Sequence, residues 1–329
     1  MSRTRNRPNN IDAPGAGDYI AANIAELQCS PLLGAFDELH LKRVHESIFQ
    51  GFTESQDGIP FHPGKFRTEI TSKEGDWRKI RGLETSSATL FIVYSHMGKA
   101  DIDHLHKTLA KANPAKLAKL STKEFVASIG DIYANLDYVH PFEEGNSRTL
   151  REFTRQLAKE SGYELDWERF NRSPGGRDTL YVARDLSVNK IALSMGIRKP
   201  GNERDVLATI DIFQGNRDLQ SLLHDVVRPL ESSLKKSLDE LKKDLPAGSV
   251  VKEANEKANS TYRGKIVKAS LHHVLQEVGA KTYVVHDRSR IGQDVQVGKT
   301  SISLSYKDGK AQVVPARGQE PQRGKGLQR

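Results

Sequence analysis

His140-Pro141-Phe142-Glu143-Glu144-Gly145-Asn146-Ser147-Arg148-Thr149-Leu150-Arg151 sets an imidazole, a carboxylate at Glu144, a Gly-Asn pair and two guanidinium groups side by side. Upstream, Phe125, Ile129, Ile132, Tyr133, Leu136 and Val139 recur at spacings of three and four, which predicts a helix with one apolar face. Pro141 disfavours continued helix at His140, so a tight loop is expected there. Ser147 or Asn146 is suited to cap a second helix, whose face is Leu150, Phe153, Thr154 and Leu157.

A loop that opens a helix suits an anion, because free backbone N–H groups and the positive end of the helix dipole meet there. Gly145 lets a phosphate come close to the backbone. Arg148 and Arg151 lie three apart and share a helix face beside that anion. Glu144, an acceptor next to a phosphate, points to a magnesium ion. His140 has an intrinsic pKa suited to a base near neutral pH. The residues by themselves read as a nucleotide-phosphate site with a metal and a general base.

The same stretch resembles the Fic-domain signature His-x-Phe-x-(Asp/Glu)-Gly-Asn-Gly-Arg-x-x-Arg, matching at His140, Phe142, Glu144, Gly145, Asn146, Arg148 and Arg151. Ser147 departs from it, standing where the family usually has glycine. Phe36-Asp37-Glu38-Leu39-His40-Leu41-Lys42-Arg43-Val44-His45 is similar to the helix that precedes the family's flap, which makes His40 and His45 packing or surface residues rather than metal ligands. Phe61 to Thr71, followed by Lys73-Glu74-Gly75-Asp76, reads as a short hairpin. By its position it resembles the flap, with Lys65, Phe66, Arg67 and Thr68 as the target-docking segment that adds a strand to the target. The resemblance covers about residues 20–200.

The composition sets bounds. Hydrophobic content is 36% and charged content 28%, with a net charge of +8. No apolar run approaches the ~20 residues needed to span a bilayer, and the N-terminus does not read as a signal peptide, so no membrane role is expected. Cys29 is the one cysteine, which excludes an intrachain disulfide and suits a bacterial cytoplasm.

In chain order, residues 1–18 read as a flexible arm. Residues 19–200 form the Fic domain, with helices over Tyr19–Leu27, Phe36–Phe49, Asp101–Leu109, Ser121–Val139 and Asp178–Met195, and a buried helix over Ser86–Gly98. Residues 201–260, with Val206, Ile210, Phe213, Leu219, Leu222, Leu223, Val226, Leu230, Leu234, Leu238 and Leu241 at helical spacing, read as a helical connector. Residues 261–315 carry short strand-like runs and a hairpin turn at Lys307-Asp308-Gly309-Lys310, a small all-β module. Gly264-Lys265-Ile266-Val267, His273-Val274-Leu275-Gln276, Val285-His286-Asp287-Arg288, Val297-Gly298-Lys299 and Ser305-Tyr306 resemble the KfrB-type domain of plasmid-encoded proteins. His286 and Asp287 are read as structural or partner contacts. Residues 316–329 read as a disordered basic tail. The expected fold is therefore a mainly α Fic fold with a short β-hairpin flap, a helical connector and a small all-β C-terminal module.

The Fic resemblance implies a protein nucleotidyltransferase moving AMP from ATP to a Ser, Thr or Tyr hydroxyl of a target protein, as the toxin or effector of a mobile element. In that reading His140 is catalytic and Glu144 holds Mg²⁺. Gly145, Asn146, Ser147, Arg148 and Arg151 bind nucleotide, and Phe142 anchors the loop. Ser147 adds a Cβ near the phosphates, so Ser147→Gly is expected to raise activity. The chain lacks the family's inhibitory Ser/Thr-x-x-x-Glu-Gly/Asn helix, which implies a separate small antitoxin-like inhibitor contacting Arg151. The KfrB-like module suggests DNA or conjugation-protein contact and delivery into a recipient cell. The alternatives are a Fic-fold phosphotransferase and a catalytically weak binding module.

Overall fold

The structure, a computed structural model, describes residues 8–55, 58–71, 73–256, 259–291, 295–298 and 300–315. The chain divides into two units, Met1–Leu230 and Glu231–Arg329. The first contains α1 (Ala16–Cys29), α2 (Glu38–Ile48), β1 (Trp77–Gly82), β2 (Thr89–Tyr94), α3 (Lys99–Leu109), α4 (Pro114–Leu117), α5 (Thr122–Val139), α6 (Asn146–Glu160), β3 (Tyr163–Leu165), α7 (Gly176–Met195), α8 (Pro200–Phe213), α9 (Leu219–Val226) and β4 (Val227–Pro229).

Helix α5 is the centre of this unit. It starts at a reciprocal cap: the Ser121 hydroxyl accepts from Glu124 N, while the Glu124 carboxylate accepts from Ser121 N at 2.8 Å. Beyond that cap it is buried nearly all round, as a helix surrounded by others must be. Its neighbours are α3, α6, α7 and α9. Helix α2 is capped by the Asp37 carboxylate, which accepts from His40 N at 2.9 Å, and it packs against α6.

The short hairpin is present, but it lies downstream of the expected segment. β1 and β2 pair antiparallel from Trp77↔Tyr94 to Gly82↔Thr89, so residues 86–98 supply a strand instead of the expected buried helix. The run Leu90-Phe91-Ile92-Val93-Tyr94 is short and nearly continuous in apolar character, and such a run has no period to separate helix from buried strand. Residues 61–71 contain no strand. They form an extended segment tied down by Arg67 N to Pro141 O and Ile70 N to His96 O, both 2.8 Å.

Two further segments differ from expectation. Ile11 is buried and its N–H donates to Glu54 O at 2.9 Å, so the expected arm is anchored at that point before α1 begins at Ala16; residues 1–7 lie outside the described residues. The expected connector, 201–260, is divided between the units. Val206, Phe213, Leu222, Leu223, Val226 and Val227 join the core of the first, and β4 pairs with β3. Leu238 and Leu241 join the second. One amphipathic stripe thus serves two cores, and periodicity cannot say which.

The second unit contains α10 (Glu231–Lys242), β5 (Val250–Glu253), β6 (Thr261–Ala269), β7 (His273–Gly279), β8 (Thr282–Asp287), β9 (Ser301–Lys307) and β10 (Lys310–Pro315). Its sheet runs β10-β9-β6-β7-β8-β5, antiparallel except for the parallel β5–β8 pair. Adjacent residues of β7 face opposite ways: Leu275 joins Leu241, Tyr283 and Val285, whereas Val274 joins Ile266, Val295 and Leu304. The β9–β10 turn falls at Asp308 and Gly309, both with positive φ, as a two-residue type I′ turn requires. His286 is fully buried between Gln276 and Tyr306, at 3.0 and 2.9 Å. Lys299 and the expected disordered tail, 316–329, lie outside the described residues.

Candidate active site

The loop between α5 and α6 is built by a small set of contacts. His140 ends α5 in the left-handed region, with φ 48° and ψ 59°, and Pro141 follows it. Arg67 then closes the C-terminus of α5. Its Nε donates to His140 O at 2.7 Å and its Nη2 donates to Val139 O and Ser95 O, at 3.2 and 2.7 Å. A cation among the last carbonyls of a helix also complements the dipole. Arg67 is buried beside the Trp77 ring, 4.6 Å from its centroid. Burial lowers its pKa to about 10, which still leaves it charged. Of the expected docking segment, then, Arg67 has both its side chain and its N–H committed to the loop. Lys65, Phe66 and Thr68 line a cleft of about 40 Å³ with Glu143.

Asn146 and Phe142 fix the middle of the loop. Phe142 N donates to Asn146 Oδ1 at 2.9 Å, and Asn146 Nδ2 donates back to Phe142 O at 2.6 Å. Asn146 is buried, so its amide shapes the loop from within. The Phe142 ring is fully buried, stacked on His45 at 3.9 Å and edge-on to Phe66 at 5.2 Å. His45 braces the other side: Gly64 N donates to Nδ1 at 2.8 Å, which leaves Nε2–H to donate to Glu144 O at 3.0 Å. Burial drives its pKa down to about 4, in keeping with that neutral tautomer.

Gly145 has φ 80° and caps α6 without a side-chain bond, so neither Ser147 nor Asn146 is the cap. The first helical bond is Thr149 N to Gly145 O, so the N–H groups of residues 146–148 precede the ladder and face the loop. Arg148 lies over the Phe49 ring at 4.9 Å, and Arg151 Nε donates to Ser147 O at 3.1 Å. Both arginines line a groove of about 450 Å³ along α6, with Arg155 and Trp167. Glu144 is exposed, and its carboxylate acts on Arg148 through charge alone, with no hydrogen bond or ion pair to it among the described residues.

His140 lies against Tyr94, 3.9 Å between ring centroids, and its Nδ1 is 3.4 Å from Asp137 Oδ1. Burial lowers its pKa against the pull of Asp137, which favours the neutral, proton-accepting form of the ring. Beneath it sits a buried charge cluster that sequence reasoning missed. Arg184 of α7 pairs with Asp137 Oδ2 at 3.0 Å and with Asp185 Oδ1 at 2.7 Å, and its Nη1 donates to Ser147 Oγ at 3.1 Å. Asp185 Oδ2 in turn accepts from Arg81 Nε at 2.6 Å. Asp137 stands three residues before His140 on one helix, and that spacing was the available signal. Arg184 offers no such signal.

A magnesium ion fits this chemistry in one form. No cluster of three or more His, Cys, Asp or Glu able to hold a metal occurs among the described residues. Glu144 alone therefore suits an ion that arrives with phosphate oxygens and keeps much of its water.

Residues 35–158 match the family model described as Fic/DOC family, and residues 261–315 the model described as KfrB Domain. Protein adenylyltransferase VbhT of Bartonella schoenbuchensis is 29% identical over 194 residues, 58% of this chain and 34% of that protein. A Protein adenylyltransferase of Bartonella henselae is 27% identical over 132 residues, 40% of this chain and 23% of that protein. The chain thus spans about a third or less of the length of these curated relatives. The ADP-bound N-terminal Fic domain of a VirB-translocated Bep effector protein from Bartonella quintana superposes with a TM-score of 0.43 at 21% identity, over 67% of this chain and 86% of that one. The chain carries a Fic/DOC-family domain, with the His140–Arg151 loop inside it, and a KfrB domain at its other end.

Proposed function

We propose that the protein transfers AMP from ATP to a Ser, Thr or Tyr hydroxyl of a target protein. The observation that carries this reading is the fixed loop in which His140, the free N–H groups opening α6, and Arg148 and Arg151 belong to one short stretch. The adenylyltransferase names of the relatives agree with it. The target oxygen attacks the α-phosphorus, the bond from that phosphorus to the bridging oxygen breaks, and pyrophosphate leaves. His140 takes the hydroxyl proton. The α6 N–H groups hold the α-phosphate oxygens, and Arg148 and Arg151 hold the β- and γ-phosphates. Asn146 acts at one remove, by holding the loop in shape. Glu144 would hold Mg²⁺, which when bound offsets charge on the departing pyrophosphate.

The target would dock along Lys65, Phe66 and Thr68. No helix among the described residues is long and apolar enough to cross a membrane. An effector role in a bacterial cytoplasm or a recipient cell, a separate inhibitor held at Arg151, and contact of the KfrB domain with DNA or a conjugation protein belong to the same proposal. The test is mass spectrometry of lysate proteins incubated with the full chain, ATP and Mg²⁺. Adenylyl adducts on hydroxyl side chains, lost with His140→Ala, support it; unmodified peptides throughout, with nucleotide shown to bind, overturn it.

A further inference from the structure

We infer that Asp137 is the positioning residue for His140, holding the ring as its Nδ1–H tautomer so that Nε2 is the accepting nitrogen, and that Arg184 locks Asp137 in place and carries the same frame to Ser147. The inference rests on the reading of His140 as a base.

The geometry has three parts. Asp137 Oδ1 lies 3.4 Å from His140 Nδ1, and Oδ2 is engaged by Arg184 at 3.0 Å, so the carboxylate cannot swing away from the ring without breaking an ion pair. Asp137 and Arg184 are 1% and 2% exposed, which keeps water from substituting for either. His140 Nδ1 and both Asp137 oxygens are buried and make no hydrogen bond of ordinary geometry among the described residues, so the pairing shown is one of charge and proximity at 3.4 Å, which turns Nδ1 towards the carboxylate and leaves Nε2 as the nitrogen to present a lone pair. A separation of 3.4 Å is long for a hydrogen bond, and such contacts tighten when substrate is bound.

Arg184 couples the base to the anion loop. Its guanidinium reaches Asp137 on α5, Asp185 on its own helix and the Ser147 hydroxyl at the start of α6. Ser147 therefore spends its hydroxyl on the frame beneath the loop. The side chain that departs from the family pattern is the one that Arg184 grips. The charged and titratable groups around His140 are Asp137 from α5, Arg184 and Asp185 from α7, Arg81 from β1, Tyr94 from β2 and Arg67 from the 61–71 segment. The pairs Arg184–Asp137 and Arg81–Asp185 balance in charge, and Arg67 adds a positive charge that opposes protonation of His140. A proton gained by His140 is then compensated chiefly by Asp137.

The test is long-range ¹H–¹⁵N NMR of histidine-labelled full-length protein, with His140 assigned from the His140→Ala spectrum. Wild type should show neutral His140 with a protonated Nδ1 and a bare Nε2. Asp137→Asn, close in shape, should lower the pH at which His140 titrates and mix the tautomers. Arg184→Lys keeps a charge but cannot reach all three partners, and should raise the titration point as Asp137 turns wholly to the imidazole. In labelling assays Asp137→Asn should move the acid limb of the pH profile and cut turnover by at least about tenfold, a part of the about 10²–10⁴-fold that a positioned base contributes. A wild-type ring protonated at Nε2 overturns the inference without any variant, as does an unchanged titration in Asp137→Asn. The NMR needs no nucleotide or target. Absence of transfer activity with the expected tautomer would therefore count against the proposed function and leave the positioning role standing.

Discussion

Replacing Gly145 by alanine should destabilise the first unit by about 2–5 kcal/mol. One part is conformational: Gly145 has φ 80°, a left-handed setting that costs an L-residue about 1–2 kcal/mol. The larger part is steric. An added Cβ would stand 2.2 Å from Cε2 and 2.3 Å from Cζ of Phe49, where van der Waals contact needs about 3.5 Å. Phe49 cannot simply retreat, because it is fully buried, edge-on to Phe61 at 5.7 Å and against His45 at 4.7 Å. Forcing carbon into such a core costs about 1–3 kcal/mol. The assay is urea denaturation followed by tryptophan fluorescence, since the chain's two tryptophans, Trp77 and Trp167, both lie in the first unit. Gly17→Ala is the control: it is helical with open space around its Cβ, so it should be neutral or stabilising by up to about 1 kcal/mol. A Gly145→Ala loss below about 1 kcal/mol would refute the reasoning, because neither the turn nor the ring contact would then be a constraint.

Ser147→Gly, expected from the family pattern to raise activity, should instead lower both stability and transfer. It removes the hydroxyl that accepts from buried Arg184, a charged hydrogen bond worth about 1.5–3 kcal/mol, and tryptophan-monitored melts together with labelling rates check this. Acid should destabilise the first unit through His45. Its folded pKa of about 4 lies below the ordinary 6.5 of histidine, so between those values the unfolded chain holds more protons and stability rises with pH. The contribution, at most about 3 kcal/mol, is complete above pH 6.5 and lost as pH falls towards 4. His45→Gln, which keeps a donor and an acceptor, should flatten that slope in urea melts taken across the window.

The sequence carried the helix–loop–helix because three local signals agree there: the long period of α5, the proline after His140 and the polar start of α6. It did not carry the strand β2, because Leu90–Tyr94 is too short and too uniformly apolar to show a period. The Leu/Val stripe from 206 to 241 announced helices truthfully, yet which core each joins depends on packing of residues far apart in the chain. Within the site, His140, Gly145 and the arginines were legible as chemistry. Asn146 is expected from the family pattern as a phosphate ligand, and its amide is hydrogen-bonded to Phe142 within the loop. Arg67 was read as part of a docking surface, whereas it caps α5 from inside. Arg184 reaches Ser147 across 37 positions, and only the fold brings them together.

The most direct measurement of the central claim uses ATP labelled at the α-phosphate and, separately, at the γ-phosphate, each incubated with the full chain, Mg²⁺ and cell lysate. Wild-type protein should label a protein band from the α position alone, and His140→Ala should label none. Label arriving from the γ position alone would mean phosphate transfer and would contradict the account, as would α label that persists without His140.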